Sequence, residues 1–132
     1  MPVSINQEHS SDEMKVAISA EGATLDAPVD PRFGRARYFL VVDTEAASVQ
    51  TVDNAAGVNA LQGAGPQTAQ RLAALGVEAV LTGHVGPKAF DALRAGKIAI
   101  YQNVQGSVKE VLQQFQAGRL APAAGPSVSG RW

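Results

Sequence analysis

Short apolar runs alternate with polar and glycine-rich stretches along the middle of the chain, and each run predicts one element of secondary structure. Five of them are predicted to be strands: Lys15–Ala20, Tyr38–Asp43, Ser48–Asp53, Val77–Thr82 and Ile98–Tyr101. Only the polar stretch Thr44–Ala47 separates the second run from the third, which indicates a β-hairpin. The fourth and fifth runs are mostly apolar, so we expect both strands to be buried.

Proline and glycine mark the ends of two helices between the later strands. Pro66 is expected to be the first residue of one helix, and Gly76 follows its end. Pro87 and Gly96 have the same relation to a second helix. Proline is favoured at a helix start because its missing N–H is not needed there, and glycine is favoured just past the end.

The strongest helix signal comes last. Ser107 and Glu110 have the spacing of a capping box, in which the two residues exchange side-chain to backbone hydrogen bonds. Apolar residues then recur on one face, and Gly118 follows: Val108, Val111, Leu112 and Phe115. The predicted order is β, β-hairpin, α, β, α, β, α. This order indicates an α/β fold with a five-stranded mixed sheet, one antiparallel strand, and helices on its faces.

The two ends of the chain differ in composition from this middle part. Residues 1–13 are polar and acidic and are expected to form a disordered leader, so Met14 is a candidate alternative start. Residues 121–132 are rich in Pro, Gly, Ala and Ser and are expected to form a flexible tail. The predicted domain is therefore residues 14–120.

Composition narrows the class of function. The 132 residues suffice for one domain, and a net charge of −1 gives no general attraction to nucleic acid or to a membrane surface. No apolar run reaches the roughly 20 residues of a membrane span, and the N-terminus lacks the pattern of a signal peptide, which predicts a cytoplasmic protein. Cysteine is absent, which excludes thiol nucleophiles and thiolate-held zinc or iron–sulfur clusters. Any metal–sulfur cluster must be assembled elsewhere and held by other contacts.

The loop after the first strand carries the densest positive charge in the chain. Arg32, Arg35 and Arg37 lie there, with Phe33 and Gly34 between the first two. Guanidinium groups are planar, weakly hydrated and always charged, so this cluster suits a large diffuse anion. Gly34 would let the backbone approach a ligand. The alternative is a solvated loop whose arginines pair with nearby carboxylates, namely those of Asp26, Asp30 or Asp43.

Two glycine-containing segments are further candidates for binding an anion. Gly63 and Gly65 form a glycine pair immediately before the start of the first predicted helix, where unpaired N–H groups and the helix dipole attract negative charge. An ordinary glycine turn is an equal alternative, because the segment lacks the pattern of a dinucleotide or phosphate-binding loop. Gly83 and Gly86 flank His84 at the carboxyl end of a buried strand, where open α/β sheets bind ligands.

His84 is a candidate metal ligand in this second segment. A lone histidine cannot form a closed zinc site, which needs about four protein ligands, and the alternative is a loop histidine without a ligand role. The carboxylates show no spacing typical of acid–base or two-metal catalysis, and the chain contains neither Gly-x-Ser-x-Gly nor His-Glu-x-x-His. We therefore expect a protein that is not an enzyme.

Four segments, taken in order, resemble the dinitrogenase iron–molybdenum cofactor biosynthesis family. They are MKVAIS, DPRFGRARYFLVVD, QGAGPQTAQRLAALGVEAVLTGHVGPKAFDAL and GSVKEVLQQFQAGRL, and they span about Met14 to Leu120. The resemblance implies a ribonuclease H-like fold. It also implies a role with metal–sulfur clusters, because the family includes nitrogenase cofactor carriers and small orange-protein-like members whose molybdenum–copper–sulfide cluster is not covalently attached. The lack of cysteine agrees with this second style of binding.

The chain departs from the family pattern at two positions. Arg32 stands where many members have a histidine before Phe-Gly, and Gln62 stands where a histidine is frequent in the glycine loop. These departures favour electrostatic holding of an anionic cluster over histidine ligation at these positions.

The leading hypothesis is non-catalytic binding or carriage of an anionic metal–sulfur cluster, with molybdenum and either iron or copper. The three candidate segments are expected to meet at one edge of the sheet, with His84 as the candidate metal ligand. The other candidate cofactor-binding residues are Arg32, Phe33, Gly34, Arg35, Arg37, Gly63, Gly65, Gly83 and Gly86. The alternative is a metal-free adaptor that regulates a partner such as an ATPase. A cluster-delivering protein or an ATPase is the expected protein partner, with no role for nucleic acid or membrane.

Overall fold

The computed structural model describes residues 14–55, 64–123 and 125 of the chain. Their regular elements follow the predicted order: β1 (Lys15–Ala20), β2 (Tyr38–Asp43), β3 (Ser48–Asp53), α1 (Ala64–Ala74), β4 (Ala79–Leu81), α2 (Pro87–Ala95), β5 (Ala99–Tyr101) and α3 (Val108–Gln116). The first three strands have the bounds predicted from the sequence. Strands β4 and β5 are shorter than predicted, because pairing with a neighbouring strand, rather than apolar character, sets their length.

The five strands form one sheet in the order β3-β2-β1-β4-β5. Strand β2 is antiparallel to both β1 and β3, whereas β1, β4 and β5 are parallel to one another. The prediction of a mixed five-stranded sheet with one antiparallel strand is therefore confirmed. This order is compatible with the ribonuclease H-like arrangement that the family resemblance implies.

Helices cover both faces of the sheet, because alternate side chains of each central strand point to opposite faces. On one face, Leu72 of α1 and Phe90 of α2 pack into a core with Val80 of β4. On the other face, Val108 and Val111 of α3 pack into a second core. The remaining apolar positions of α3, Leu112 and Phe115, are only half-buried, and the Phe115 ring packs edge to face with Tyr101 at 5.1 Å.

Most of the predicted helix ends are confirmed. Pro87 is the first residue of α2, and Ser107 and Glu110 form the capping box of α3. Gly76 follows α1 with a φ of +84°, a left-handed conformation that favours glycine. Pro66, however, is the third residue of α1, not the first. The first four N–H groups of a helix have no acceptor within the helix, so proline is tolerated there.

The chain beyond α3 turns back and runs beside β5, the outermost strand of the sheet. The Ala123 N–H donates to the Ile100 carbonyl of β5 at 2.7 Å, and the Gln102 side-chain amide donates to the Gly125 carbonyl at 2.6 Å. The first residues of the predicted flexible tail thus contact the domain. The predicted leader, residues 1–13, lies outside the described residues. No helix within the described ranges is long and apolar enough to span a membrane.

Candidate functional site

The loops that carry the candidate residues meet where the strands β1, β4 and β5 have their carboxyl ends. We call this end of the sheet the site edge. The carboxyl end of β1 lies there beside the amino end of β2, since Ala20 pairs with Tyr38. Asp53, at the end of β3, pairs with the same Tyr38. Strands β4 and β5 also end at this edge, because they run parallel to β1. The edge therefore receives the loop after β1, the turn after β4 and the loop after β5.

Backbone hydrogen bonds join the loop after β1 to the turn after β4. The His84 N–H donates to the Pro31 carbonyl at 2.7 Å, and the Phe33 N–H donates to the His84 carbonyl at 3.1 Å. Gly83 makes this contact possible, since a Cβ atom built there would lie 2.5 Å from the Pro31 oxygen. Arg32 and His84 consequently lie side by side at the site edge.

The same loop also abuts the N-terminal turn of α1. A Cβ atom built on Gly34 would lie 2.6 Å from the backbone nitrogen of Gly65 and 2.7 Å from its Cα. From the sequence, the bare backbone of Gly34 was expected to allow close approach of a ligand. In the structure, α1 fills that space, so Gly34 serves the packing of loop on helix. Gly63 lies outside the described residues.

Phe33 anchors the loop to the hydrophobic core. Its side chain has no exposed surface, and its ring packs edge to face on Phe39 of β2 with 5.4 Å between centroids. A ring held in this way has no surface to offer a ligand. The place of Phe33 in the candidate site is therefore to hold the arginines on either side of it above the core.

The arginine loop, residues 32–37, presents its charged groups differently at each position. The Nε atom of Arg32 lies 3.8 Å from Oδ1 of the buried Asp30, yet the Arg32 side chain is still 49% exposed. The same Oδ1 accepts the Arg32 N–H at 3.0 Å. Arg35 is half-buried, and the exposed Arg37 lies with its Cζ atom 5.2 Å from the centre of the Tyr38 ring. Arg32 thus has a carboxylate neighbour and also an accessible guanidinium group.

Asn54, a buried polar residue that was not predicted from the sequence, fixes the backbone of this loop. The Asn54 side-chain amide donates to the carbonyls of Gly34 at 3.2 Å and Ala36 at 2.8 Å. Its Oδ1 accepts from Thr68 at 3.4 Å and from Arg71 at 3.3 Å. An asparagine just after a predicted strand was the available signal, but only the tertiary structure reveals its partners.

A second buried cross-link, also missed, lies beneath the front of the loop. Ser19 Oγ is 2.7 Å from the Asp30 carbonyl and 2.7 Å from Thr82 Oγ1. Ser19 and Thr82 are fully buried and close the carboxyl ends of β1 and β4. Buried hydroxyls are satisfied here by one another and by the loop backbone, which ties the loop to the sheet.

The donor groups at the site edge suit an anion better than a bare metal ion. Among the described residues, no three or more His, Cys, Asp or Glu side chains come together as a metal site. His84 is half-buried in its turn. What the edge offers instead is guanidinium charge and the starts of two helices, α1 and α2.

The family model of the dinitrogenase iron-molybdenum cofactor matches residues 14–118. The chain belongs to this family. Its matched range contains every described element from β1 to α3. Membership associates the chain with binding or carriage related to a cofactor, and it confirms the resemblance seen in the sequence.

Solved structures with the same fold extend this result. The apo form of the orange protein from Desulfovibrio gigas is 45% identical with a TM-score of 0.85, and the match covers 88% of this chain and 98% of that one. A Thermotoga protein of the DUF35 family is 37% identical with a TM-score of 0.73, covering 83% and 92%. By sequence, an uncharacterized protein of Methanocaldococcus jannaschii is 29% identical over 110 residues, 81% of this chain and 89% of its own.

Proposed function

We propose that this protein binds and carries a preassembled anionic metal–sulfur cluster at the site edge, without cysteine ligands. The main support for this proposal is that the arginine loop lies close to the starts of α1 and α2. The proposed cargo contains molybdenum with iron or copper, in keeping with the family and with the similarity to the orange protein. The proposed role is carriage and not catalysis, in the cytoplasm.

Arginine charge supplies the proposed attraction. A thiometallate carries its negative charge on outward-facing sulfur atoms, which are large and weakly hydrated. Guanidinium groups match such an anion because they are planar, weakly hydrated and always protonated. The half-exposed Arg32 and the exposed Arg37 are accessible for this purpose. Each hydrogen bond to a charged partner contributes about 1.5–3 kcal/mol.

Two helix starts add to this positive edge. Neither α1 nor α2 has an acidic residue in its first turn, and Gly86, the N-cap of α2, offers no side-chain cap. Helix α3, by contrast, begins with the capping box, in which the Glu110 carboxylate accepts the Ser107 N–H at 2.9 Å. The helix dipole favours an anion at an N-terminus unless an acidic side chain already occupies it. The first turns of α1 and α2 therefore hold no acidic side chain that would compete with an anion on the arginine side.

The proposal can be tested with tetrathiomolybdate and molybdate, two tetrahedral dianions that differ only in their outer atoms, sulfur or oxygen. We expect tetrathiomolybdate, titrated under anaerobic conditions, to bind and change its visible absorption, whereas molybdate binds more weakly. Binding should weaken as salt rises, since exposed charges are screened over about 10 Å at 0.1 M ionic strength. If tetrathiomolybdate does not bind and the protein is colourless after anaerobic isolation from its host, the cluster proposal fails. The metal-free adaptor would then be the better account.

The contribution of His84 is expected to be modest. His84→Ala should preserve the visible spectrum of the bound thiometallate and lower affinity by about threefold or less, or about 0.6 kcal/mol. The reason is that the hydrogen bonds of His84 with Pro31 and Phe33 are made by its backbone, which alanine retains. Titration of His84→Ala beside His84→Gln separates loss of the imidazole from loss of polarity. If a folded His84→Ala protein stays colourless, the result would show instead that the imidazole is a metal ligand.

A further inference from the structure

Asn54 lies directly after β3, behind the arginine loop, and is 1% exposed. Besides its two side-chain bonds to the loop, its backbone N–H donates to the Arg37 carbonyl at 2.9 Å. One residue therefore fixes three loop carbonyls, at Gly34, Ala36 and Arg37. These carbonyls flank Arg35 and Arg37 on the backbone.

The partners of Asn54 leave its amide only one orientation. The Arg71 guanidinium can only donate, so the Asn54 atom that it meets at 3.3 Å must be the oxygen. The other end must then be the NH₂ group, and both of its neighbours, the Gly34 and Ala36 carbonyls, are acceptors. All four partners are consistent with this orientation of the Asn54 amide, and exchanging its oxygen and nitrogen would break the hydrogen bonds with Arg71 and with both carbonyls.

The same side chain also ties the loop to α1. Thr68 and Arg71 both belong to α1, and both donate to the Asn54 oxygen. Arg71 donates in addition to the Asp53 carbonyl at 3.1 Å. The loop, the end of β3 and the first helix are thus positioned relative to one another through a single amide.

We propose that Asn54 is a positioning residue that sets the affinity of the site edge for an anion, an inference that rests on the proposed function. Three arginines in one short loop repel one another and would separate if the backbone were free. A fixed backbone holds them close before the ligand arrives, so less order has to be imposed on binding. Asn54 need not touch the ligand to have this effect.

Asn54→Ala is the test, with two controls. Thr68→Val is nearly isosteric and removes a hydroxyl that bonds Asn54 without touching the loop carbonyls. Val111→Ala weakens the core on the opposite face of the sheet and serves as a control for lost stability. Each full-length variant is titrated with tetrathiomolybdate well below its unfolding temperature. Amide hydrogen exchange is measured for residues 33–37 and for α3.

We expect Asn54→Ala to lower the affinity about tenfold, equivalent to about 1.4 kcal/mol. Exchange should accelerate about tenfold or more in residues 33–37 and remain unchanged in α3, which a general loss of stability would not produce. Thr68→Val and Val111→Ala should bind within about twofold of the unmodified protein. If Asn54→Ala does not fold, Asn54→Ser, which keeps a hydroxyl at this position, takes its place with the same expectation.

Two results would overturn the inference. One is an Asn54 variant whose loop exchanges faster but which binds as tightly as the unmodified protein. The other is a Val111→Ala protein that loses as much affinity as Asn54→Ala, since the effect would then follow stability alone. An unmodified protein that does not bind tetrathiomolybdate would instead refute the proposed function, so the two failures are distinguishable.

Discussion

Replacing Arg32, Arg35 and Arg37 together by glutamine will lower the affinity for tetrathiomolybdate by about a hundredfold or more, which corresponds to at least about 2.7 kcal/mol. Glutamine keeps a polar, uncharged side chain, shorter than that of arginine, and so removes the charge. Because hydrogen bonds to a charged partner contribute about 1.5–3 kcal/mol each, the loss of two such contacts suffices. The salt dependence of binding should shrink as well, since the screened charges are gone.

A matched control removes three positive charges elsewhere. Arg94, Lys97 and Arg119 lie near the C-terminal ends of α2 and α3, away from the helix starts that face the site edge. Their joint replacement by glutamine changes the net charge equally, so it should leave affinity within about threefold of the unmodified protein. Equal affinity and equal salt dependence in a folded triple variant of the arginine loop would show that the loop is not the site.

Gly34→Ala is expected to destabilise the fold strongly. The new methyl group would lie 2.6 Å from a backbone nitrogen of α1, and backbone atoms cannot rotate away as a flexible side chain does. Overpacking of this kind typically lowers the free energy of unfolding by about 1–3 kcal/mol. For a domain of this size, a fall in melting temperature of about 10 °C should follow, which circular dichroism would detect.

Gly125→Ala is the control for this substitution. Within the described part of the chain, and apart from its chain neighbours, no atom lies within 4 Å of a Cβ atom built on Gly125, so alanine there should leave the melting temperature within about 2 °C of the unmodified value. Gly83→Ala, where the new Cβ would lie 2.5 Å from the Pro31 oxygen, should behave like Gly34→Ala. A Gly34→Ala protein as stable as Gly125→Ala would mean that the loop and α1 can separate without loss.

Local signals explain which parts of the fold were predictable. The hairpin of β2 and β3 is encoded by two β-rich runs and a short polar turn, so its bounds were predicted correctly. The capping box of α3 likewise depends on two residues three positions apart. The ends of β4 and β5 depend instead on pairing with strands distant in the sequence, and apolar runs alone made them too long.

The candidate site was predictable in place but not in detail. The gathering of the arginine loop and the Gly83–Gly86 turn at one sheet edge follows from strand direction, and the structure confirms it. The use of Gly34 for contact with α1 did not follow, because a glycine's neighbour is invisible in sequence. Asn54 was missed for the same physical reason, since its partners come from a loop and a helix on either side of it in the chain.

The junction between Pro31 and His84 also bears on the order of folding. Its two halves lie on either side of the hairpin and α1 in the chain, so these hydrogen bonds, like the pairing of β1 with β4, join segments that are distant in the sequence. Contacts between distant segments form slowly, because a long loop has to be closed first. A chain that has folded only its N-terminal hairpin therefore displays its arginines without the neighbouring turn. On the proposed function, a metal–sulfur cluster would then be captured only by molecules that have completed their fold.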